Sequence, residues 1–131
     1  MIAYCRPKID RLDYHLAQVV IPLRWRTKNH FRSMYFGALS IGADFTGGLL
    51  VMSLLKKHNS KAKLLFKDFR ADFLKRATSD VIFSCSDYKI IESSILKNLE
   101  KKERVNFEVK VRAVSKDNKP IADFVLTTSI K

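Results

Sequence analysis

Residues 36–55 have the sequence FGALSIGADFTGGLLVMSLL, an apolar run in which Asp44 is the one charged residue. The run is too long for a β-strand, and Ser33 ahead of it is a residue type that caps helices. We therefore predict a helix over residues 33–57. Apolar residues fall on nearly every side of this helix, so we expect it to be buried on most sides.

All four glycines of the chain, Gly37, Gly42, Gly47 and Gly48, lie in this segment. Each glycine costs a helix about 1 kcal/mol of stability relative to alanine. A helix that keeps four of them indicates that another backbone approaches it closely. A sheet curved around the helix, or a partner helix, would supply that backbone.

A membrane span is the alternative interpretation of residues 36–55, because about 20 apolar residues can cross a bilayer. Asp44 near the middle opposes it, since a carboxylate there costs about 2.5–3.5 kcal/mol on insertion scales. The flanking segments also have the alternating pattern of soluble strands. We therefore expect no membrane partner. We expect a cytoplasmic protein, because the N-terminal residues lack the apolar stretch of a signal peptide.

Alternating apolar and polar residues mark strands on both sides of the helix. The pattern predicts strands over residues 6–13, 17–25, 65–73, 81–85, 105–113 and 122–130, and a short helix over residues 90–102 whose buried side carries Ile91, Ile95, Leu96 and Leu99. Asp117-Asn118 is a favourable hairpin turn, and hairpins favour an antiparallel sheet. The simplest arrangement curls this sheet around the long helix. We predict one α+β domain over residues 1–131.

The net charge of the chain is +12, from 25 basic and 13 acidic residues. Such a charge attracts polyanions: nucleic acid, anionic lipid, or a phosphorylated ligand such as coenzyme A. The chain has no recognition-helix pattern, so we do not expect nucleic acid as the partner. Its two cysteines, Cys5 and Cys85, are far apart in the sequence and form no zinc-binding pattern, so we expect no metal.

The start of the long helix and its one acid are candidates for a reaction centre. Backbone N–H groups near Tyr35 to Gly37 lack intrahelical partners and lie at the positive end of the helix dipole. They can stabilise an oxyanion. Asp44 lies in apolar surroundings, which raise the pKa of a carboxyl group, and it can act as a base toward water.

Phe36 and Asp44 are too far apart to act on one atom within one chain. Eight residues separate them, which is about 12 Å along a helix axis. If both act together, Asp44 comes from a second chain lying antiparallel. This geometry favours a two-fold homodimer, and the sequence leaves open whether two dimers pair into a tetramer.

Residues 29–37, NHFRSMYFG, resemble the signature of the hotdog thioesterase superfamily, in particular its phenylacetate-type acyl-CoA thioesterase branch. That branch carries an Asn, then a Gly-Thr/Ser-x-His-Gly-Gly segment opening the central helix, and an Asp or Glu eight residues after the middle position. Asn29 matches the Asn, Ser33 the Thr/Ser, Gly37 the last Gly and Asp44 the acid. The sequence of residues 29–30 and 33–39 resembles a thioesterase-like family of uncharacterised function still more closely.

The resemblance implies a hotdog fold, an antiparallel sheet wrapped around one central helix. It implies hydrolysis of an acyl-thioester carried by coenzyme A or by an acyl-carrier protein, with no other cofactor. Asp44 would be the base or nucleophile, and Asn29 would place the thioester or the water. The backbone N–H of Phe36, beside Gly37, would bind the oxyanion.

Departures from the signature keep a second function open. Tyr35 replaces His, and Phe36 and Arg32 each replace a Gly. A hotdog protein that binds acyl-thioesters without hydrolysing them fits these departures, with Tyr35 contacting the ligand or packing in the core or interface. A basic nucleic-acid-binding protein is a third hypothesis, and the net charge alone motivates it.

Structural roles compete with the functional ones for several of these residues. Asp44 would be a buried acid paired with a partner-chain arginine or with an N–H group, and Asn29 a turn residue or a cap. Arg70, Lys75 and Arg76 are candidates to bind the phosphates of coenzyme A, because basic side chains form charge-assisted hydrogen bonds with phosphate. Nothing in the sequence chooses among the many basic residues.

Overall fold

A computed structural model of the chain describes residues 5–24, 27–28, 34 and 36–131. The elements, in chain order, are β1 Lys8–Leu12, β2 Ala17–Ile21, α1 Phe36–Lys57, β3 Leu64–Phe73, β4 Val81–Cys85, α2 Tyr88–Lys101, β5 Val105–Ser115 and β6 Pro120–Ile130. This is the predicted order of strands and helices. Ser33, the proposed cap, and Trp25, the predicted end of the second strand, lie outside the described residues.

The six strands form one antiparallel sheet in the order β1-β2-β4-β5-β6-β3. Helix α1 packs against β2, β4, β5 and α2, and it makes fewer contacts with β3 and β6. The sheet therefore covers one side of the helix closely and leaves an opening beside its edge strand β3. The predicted arrangement, a sheet curled around one long helix, is confirmed.

One glycine of α1, Gly42, allows the sheet to approach closely, whereas Gly47 and Gly48 leave room for a side chain in ordinary contact. A Cβ atom at Gly42 would lie 2.4 Å from the ring of Phe83, and one at Gly47 would lie 3.5 Å from Val111. The close neighbours are side chains of β4 and β5, where the sequence had suggested a backbone. Helix α1 thus sits at a depth in the sheet that no side chain at residue 42 would permit.

The buried side of α2 differs from the prediction. Ile91 and Ile95 are buried, but Leu96 and Leu99 are 50% and 41% exposed. The buried stripe follows the helical spacing i, i+3, i+4, i+7 and consists of Ile91, Ser94, Ile95 and Asn98. The polar residues Ser94 and Asn98 therefore complete the buried stripe, and the predicted Leu96 and Leu99 lie outside it.

Helix α1 is long and apolar enough to cross a membrane by length and composition, and more than half of its most apolar window is buried inside the protein. Its buried residues are Ala38, Leu39, Gly42, Ala43, Thr46, Gly47, Leu50, Val51, Leu54 and Leu55. Their burial explains why a core helix can have the composition of a membrane span.

We expect Gly42→Ala to lower the free energy of unfolding by about 1–3 kcal/mol, the usual cost of overpacking a core. Gly47→Ala is the matched control, because its new methyl group meets only ordinary van der Waals contacts. It should raise stability by about 0.5–1 kcal/mol, since alanine is the better helix former. Urea unfolding measures both, and equal losses in the two variants would contradict the close contact with Phe83.

Candidate functional site

One side of α1 is not covered by the sheet, and we call it the open face. Its residues are exposed or half-buried: Phe36, Gly37, Ser40, Ile41, Asp44, Phe45, Gly48, Leu49 and Met52. Strand β3 borders this face, since the ring of Phe36 stacks on Phe73 with centroids 4.3 Å apart. At the other end, Phe66 lies 3.8 Å from where a Cβ of Gly48 would be. The open face is therefore apolar, with a single acid near its middle.

Asp44 is half-buried on the open face, and this burial raises the pKa of its carboxyl group. Within the part of the chain that the structure describes, the carboxylate has no hydrogen bond and no ion pair. A carboxylate that is partly removed from water and has no fixed partner is a better proton acceptor than an exposed one. The alternative of a buried, paired acid would need a partner from another chain or from residues outside the described ranges.

The positive end of α1 opens onto the same face. The helix begins at Phe36, and its first turn carries no acidic residue. Phe36 and Gly37 are exposed, so an anion can approach the N–H groups of the first turn, which lack intrahelical partners. Asn29 and Tyr35, two residues of the predicted site, lie outside the described residues.

Lys75 and Arg76 line a cavity of about 380 Å³ together with Lys116 and Lys119. The cavity forms because β3 pairs with β6, which brings the loop after β3 beside the β5–β6 hairpin. Lys116 and Lys119 were not among the candidates predicted from the sequence, although they flank the predicted Asp117-Asn118 turn. Their position depends on strand pairing, which the alternation pattern does not specify.

Arg70 does not line this cavity. Its guanidinium forms an ion pair with Glu108 at 2.8 Å. Neighbouring Phe69 contacts the buried ring of Phe124, so alternation along the strand puts Arg70 on the outer face of the sheet. The structure therefore brings together two of the three basic residues selected from the sequence.

The sequence of the chain matches a known family over nearly its whole length. Residues 2–130 match the family described as a domain of unknown function, DUF4442. The chain belongs to the DUF4442 family. No curated protein matches it significantly in sequence.

The DUF4442 chain shares its fold with three solved structures at low sequence identity. A protein of unknown function and probable thioesterase from Pseudomonas aeruginosa is 16% identical, with a TM-score of 0.84 over 98% of this chain and 85% of that one. A protein of unknown function from Chlorobaculum tepidum is 14% identical, with a TM-score of 0.86 over 98% and 83%. A mutant thioesterase enzyme from Staphylococcus aureus is 15% identical, with a TM-score of 0.75 over 99% and 97%. The predicted hotdog fold is confirmed.

We expect Asp44→Asn to stabilise the DUF4442 chain at pH 7. Burial raises the pKa of the Asp44 carboxyl above its ordinary value of 3.8, so the folded state holds the proton more tightly and its charged form is disfavoured. That penalty is present above the raised pKa and disappears as pH falls through it toward 3.8. The gain from Asn should therefore shrink in acid.

Urea unfolding at a series of pH values measures this gain, and Glu100→Gln, an exposed acid on α2, is the control. A loss of stability in Asp44→Asn at pH 7 would indicate a paired carboxylate instead.

Proposed function

We propose that the protein is a cytoplasmic acyl-thioester hydrolase that acts on acyl-coenzyme A or an acyl-carrier protein as a homodimer. The observation that carries this proposal is the open face of α1. It combines an acid-free helix N-terminus at Phe36 with a half-buried carboxylate at Asp44 that has no partner among the described residues. Structures described as thioesterases have the same fold. Beyond the coenzyme A carried by the substrate, the reaction needs no cofactor.

The proposed reaction uses water and two groups of the protein. Asp44 accepts a proton from a water molecule, whose oxygen attacks the thioester carbonyl carbon. The N–H groups of Phe36 and Gly37 donate to the resulting oxyanion. The carbon–sulfur bond then breaks, the carboxylic acid is released, and the thiolate takes the proton from Asp44. In the alternative mechanism Asp44 is the nucleophile. Its carboxylate attacks the thioester carbonyl carbon and releases the thiolate, and water then hydrolyses the resulting mixed anhydride.

The two groups meet only if Asp44 comes from a second subunit, because about 12 Å of helix separates them within one chain. Ser40 lies midway between Phe36 and Asp44. If two α1 helices pack antiparallel with the two-fold axis level with Ser40, each Asp44 lies level with Phe36 of the partner subunit. Such a dimer has two equivalent sites.

Strand β3 supports the same dimer, because it is an edge strand next to exposed aromatic rings. Phe69 and Phe73 are each 37% exposed and Phe36 is 66% exposed. An unpaired strand edge beside such rings is a surface that a second copy would cover. A two-fold axis through antiparallel strands passes between two copies of one residue.

The position of the two-fold axis along α1 determines which residue of β3 faces its own copy. Phe73 lies beside Phe36, and Ser40 is about 6 Å farther along the helix. At about 3.3 Å per strand residue, Ala71 is level with Ser40. Arg70 then faces Asp72 of the partner subunit, an opposite-charge pair that favours this register.

We expect Ala71→Cys to form a disulfide between subunits in high yield under mild oxidation, because Ala71 would face its own copy across the axis. The native cysteines, Cys5 and Cys85, are buried and do not compete. Ser93→Cys, exposed on α2, is the control and should stay monomeric on non-reducing gels. Cross-linking of Phe69→Cys in place of Ala71→Cys would contradict the register.

Turnover of short, long and aromatic acyl-coenzyme A substrates, followed by release of free thiol, tests the hydrolase directly. Asp44→Asn should lower kcat by about 10²–10⁴-fold, the usual contribution of a general base, while the dimer stays intact by sedimentation. Glu100→Gln again serves as the control. Equal turnover by wild type and Asp44→Asn would remove Asp44 from the reaction.

The second candidate function is binding of acyl-thioesters without hydrolysis. Phe36 favours it, because a phenyl ring occupies a position where the resembled signature has glycine, and this ring stacks on Phe73 at the start of α1. Saturable binding of an acyl-coenzyme A with no thiol release from any substrate would select this function.

A further inference from the structure

We propose that the cavity lined by Lys75, Arg76, Lys116 and Lys119 binds the phosphate groups of the carrier to which the acyl group is attached. The cavity lies between the loop after β3 and the β5–β6 hairpin, and we call it the basic cavity. Its choice of ligand rests on the proposed function. Its affinity for phosphates can be measured without turnover.

The basic cavity has an excess of positive charge. Four basic side chains line it against one acidic side chain, Asp117, and the hydroxyl of Thr78 also lines it. The hydroxyls of Ser79 and Ser115 already donate, to the carbonyl of Asp80 and the carboxylate of Asp117. Lys75 forms no ion pair within the described residues. An anion with two or more charges can therefore gain charge-assisted hydrogen bonds from several donors at once.

Two of the lysines already have weak acidic partners. Lys119 lies 3.3 Å from Asp117, and Lys116 lies 3.8 Å from Asp80. The lysine side chains are largely exposed, and exposed ion pairs contribute little to stability. A phosphate that enters the cavity can therefore bind these lysines beside their carboxylate partners, or in place of them, at a small cost in free energy.

The backbone on both sides of the cavity is held in place by hydrogen bonds. The N–H groups of Leu74 and Lys75 both donate to the carbonyl of Ile121, at 2.8 and 3.1 Å. In the hairpin, the N–H of Ser115 donates to the carbonyl of Lys119 at 2.9 Å. The basic groups therefore project from a fixed frame, which lowers the entropy cost of binding.

The basic cavity lies at the same end of the molecule as the start of α1. Phe73, at the end of β3, stacks on Phe36, and the N–H of Met34 donates to the carbonyl of Ala77 at 2.8 Å. Ala77 directly follows Arg76 of the cavity. One extended ligand can thus present a thioester to the helix start and its phosphates to the cavity.

A small phosphorylated carrier fits the cavity better than a nucleic acid does. Its cations converge on one concave site of about 380 Å³, within the size range of small-ligand pockets. Nucleic-acid surfaces instead present basic residues along a stripe or face. The shared chemistry of coenzyme A and of a carrier-protein arm is phosphorylated pantetheine.

Calorimetric titration of the full chain with coenzyme A, 4′-phosphopantetheine and pantetheine tests the proposal. Both phosphorylated ligands should bind at least about tenfold more tightly than pantetheine, because each charge-assisted hydrogen bond contributes about a factor of ten. Equal affinities for the two phosphorylated ligands would assign the cavity to the phosphate that they share. Tighter binding of coenzyme A would assign it to the nucleotide phosphates as well. Equal binding of pantetheine would overturn the proposal.

The variant Lys75→Ala/Lys119→Ala should weaken coenzyme A binding by about tenfold or more. The matched control, Lys61→Ala/Lys102→Ala, removes the same charge from a different concave surface and should change affinity by less than about twofold. Equal losses of coenzyme A affinity in the two double variants would show that only the net charge matters, and would overturn the proposed binding site. Binding of a single-stranded oligonucleotide, lost only in the first variant and without coenzyme A binding, would replace the proposed ligand by nucleic acid.

Failure of the cavity and failure of the hydrolase are distinguishable. Phosphate-dependent binding without thiol release from any substrate would remove the hydrolase and keep the cavity. Thiol release that depends on Asp44, with coenzyme A affinity unaffected by Lys75 and Lys119, would remove the cavity and keep the hydrolase.

Discussion

The contact between residue 42 and Phe83 sets the position of the central helix. The ring of Phe83 lies where a side chain at residue 42 would begin, so only glycine lets α1 lie so deep in the sheet. Because this contact limits both the depth and the rotation of α1, it determines which residues face the opening beside β3. Phe36 and Asp44 lie on the open face as a consequence of packing on the opposite side of the helix.

Much of the fold could be predicted from the sequence, because alternation identifies strands and a long apolar run identifies a core helix. The buried side of α2 could not. Ser94 and Asn98 can be buried because the polar groups of both side chains are hydrogen-bonded. The Ser94 hydroxyl donates to the carbonyl of Ile90, and the Asn98 side-chain amide donates to the carbonyl of Glu103. A rule that counts apolar residues alone selects the neighbouring leucines and rotates the helix incorrectly.

The candidate site was predictable where it depends on neighbours in sequence and not where it depends on strand pairing. Asp44 is conspicuous as the one acid of an apolar helix, and the structure adds that burial raises the pKa of its carboxyl group. Lys116 and Lys119 join Lys75 only because β6 lies between β5 and β3. The stacking of Phe36 on Phe73 likewise depends on which strand becomes the edge, and alternation does not reveal the strand order.

The irregularity of the outer strand β1 has a consequence for polymerisation. The register of β1 against β2 shifts between Ile9 and Arg11. A bulge bends an edge and interrupts its row of hydrogen-bonding groups, and charged residues on that edge oppose further additions. Strand β1 is exposed throughout and carries Lys8, Asp10 and Arg11. If the β3 edges of two copies pair as proposed, a β1 strand of this kind remains at each end, so the sheet would stop growing at the dimer and would not extend into a fibre.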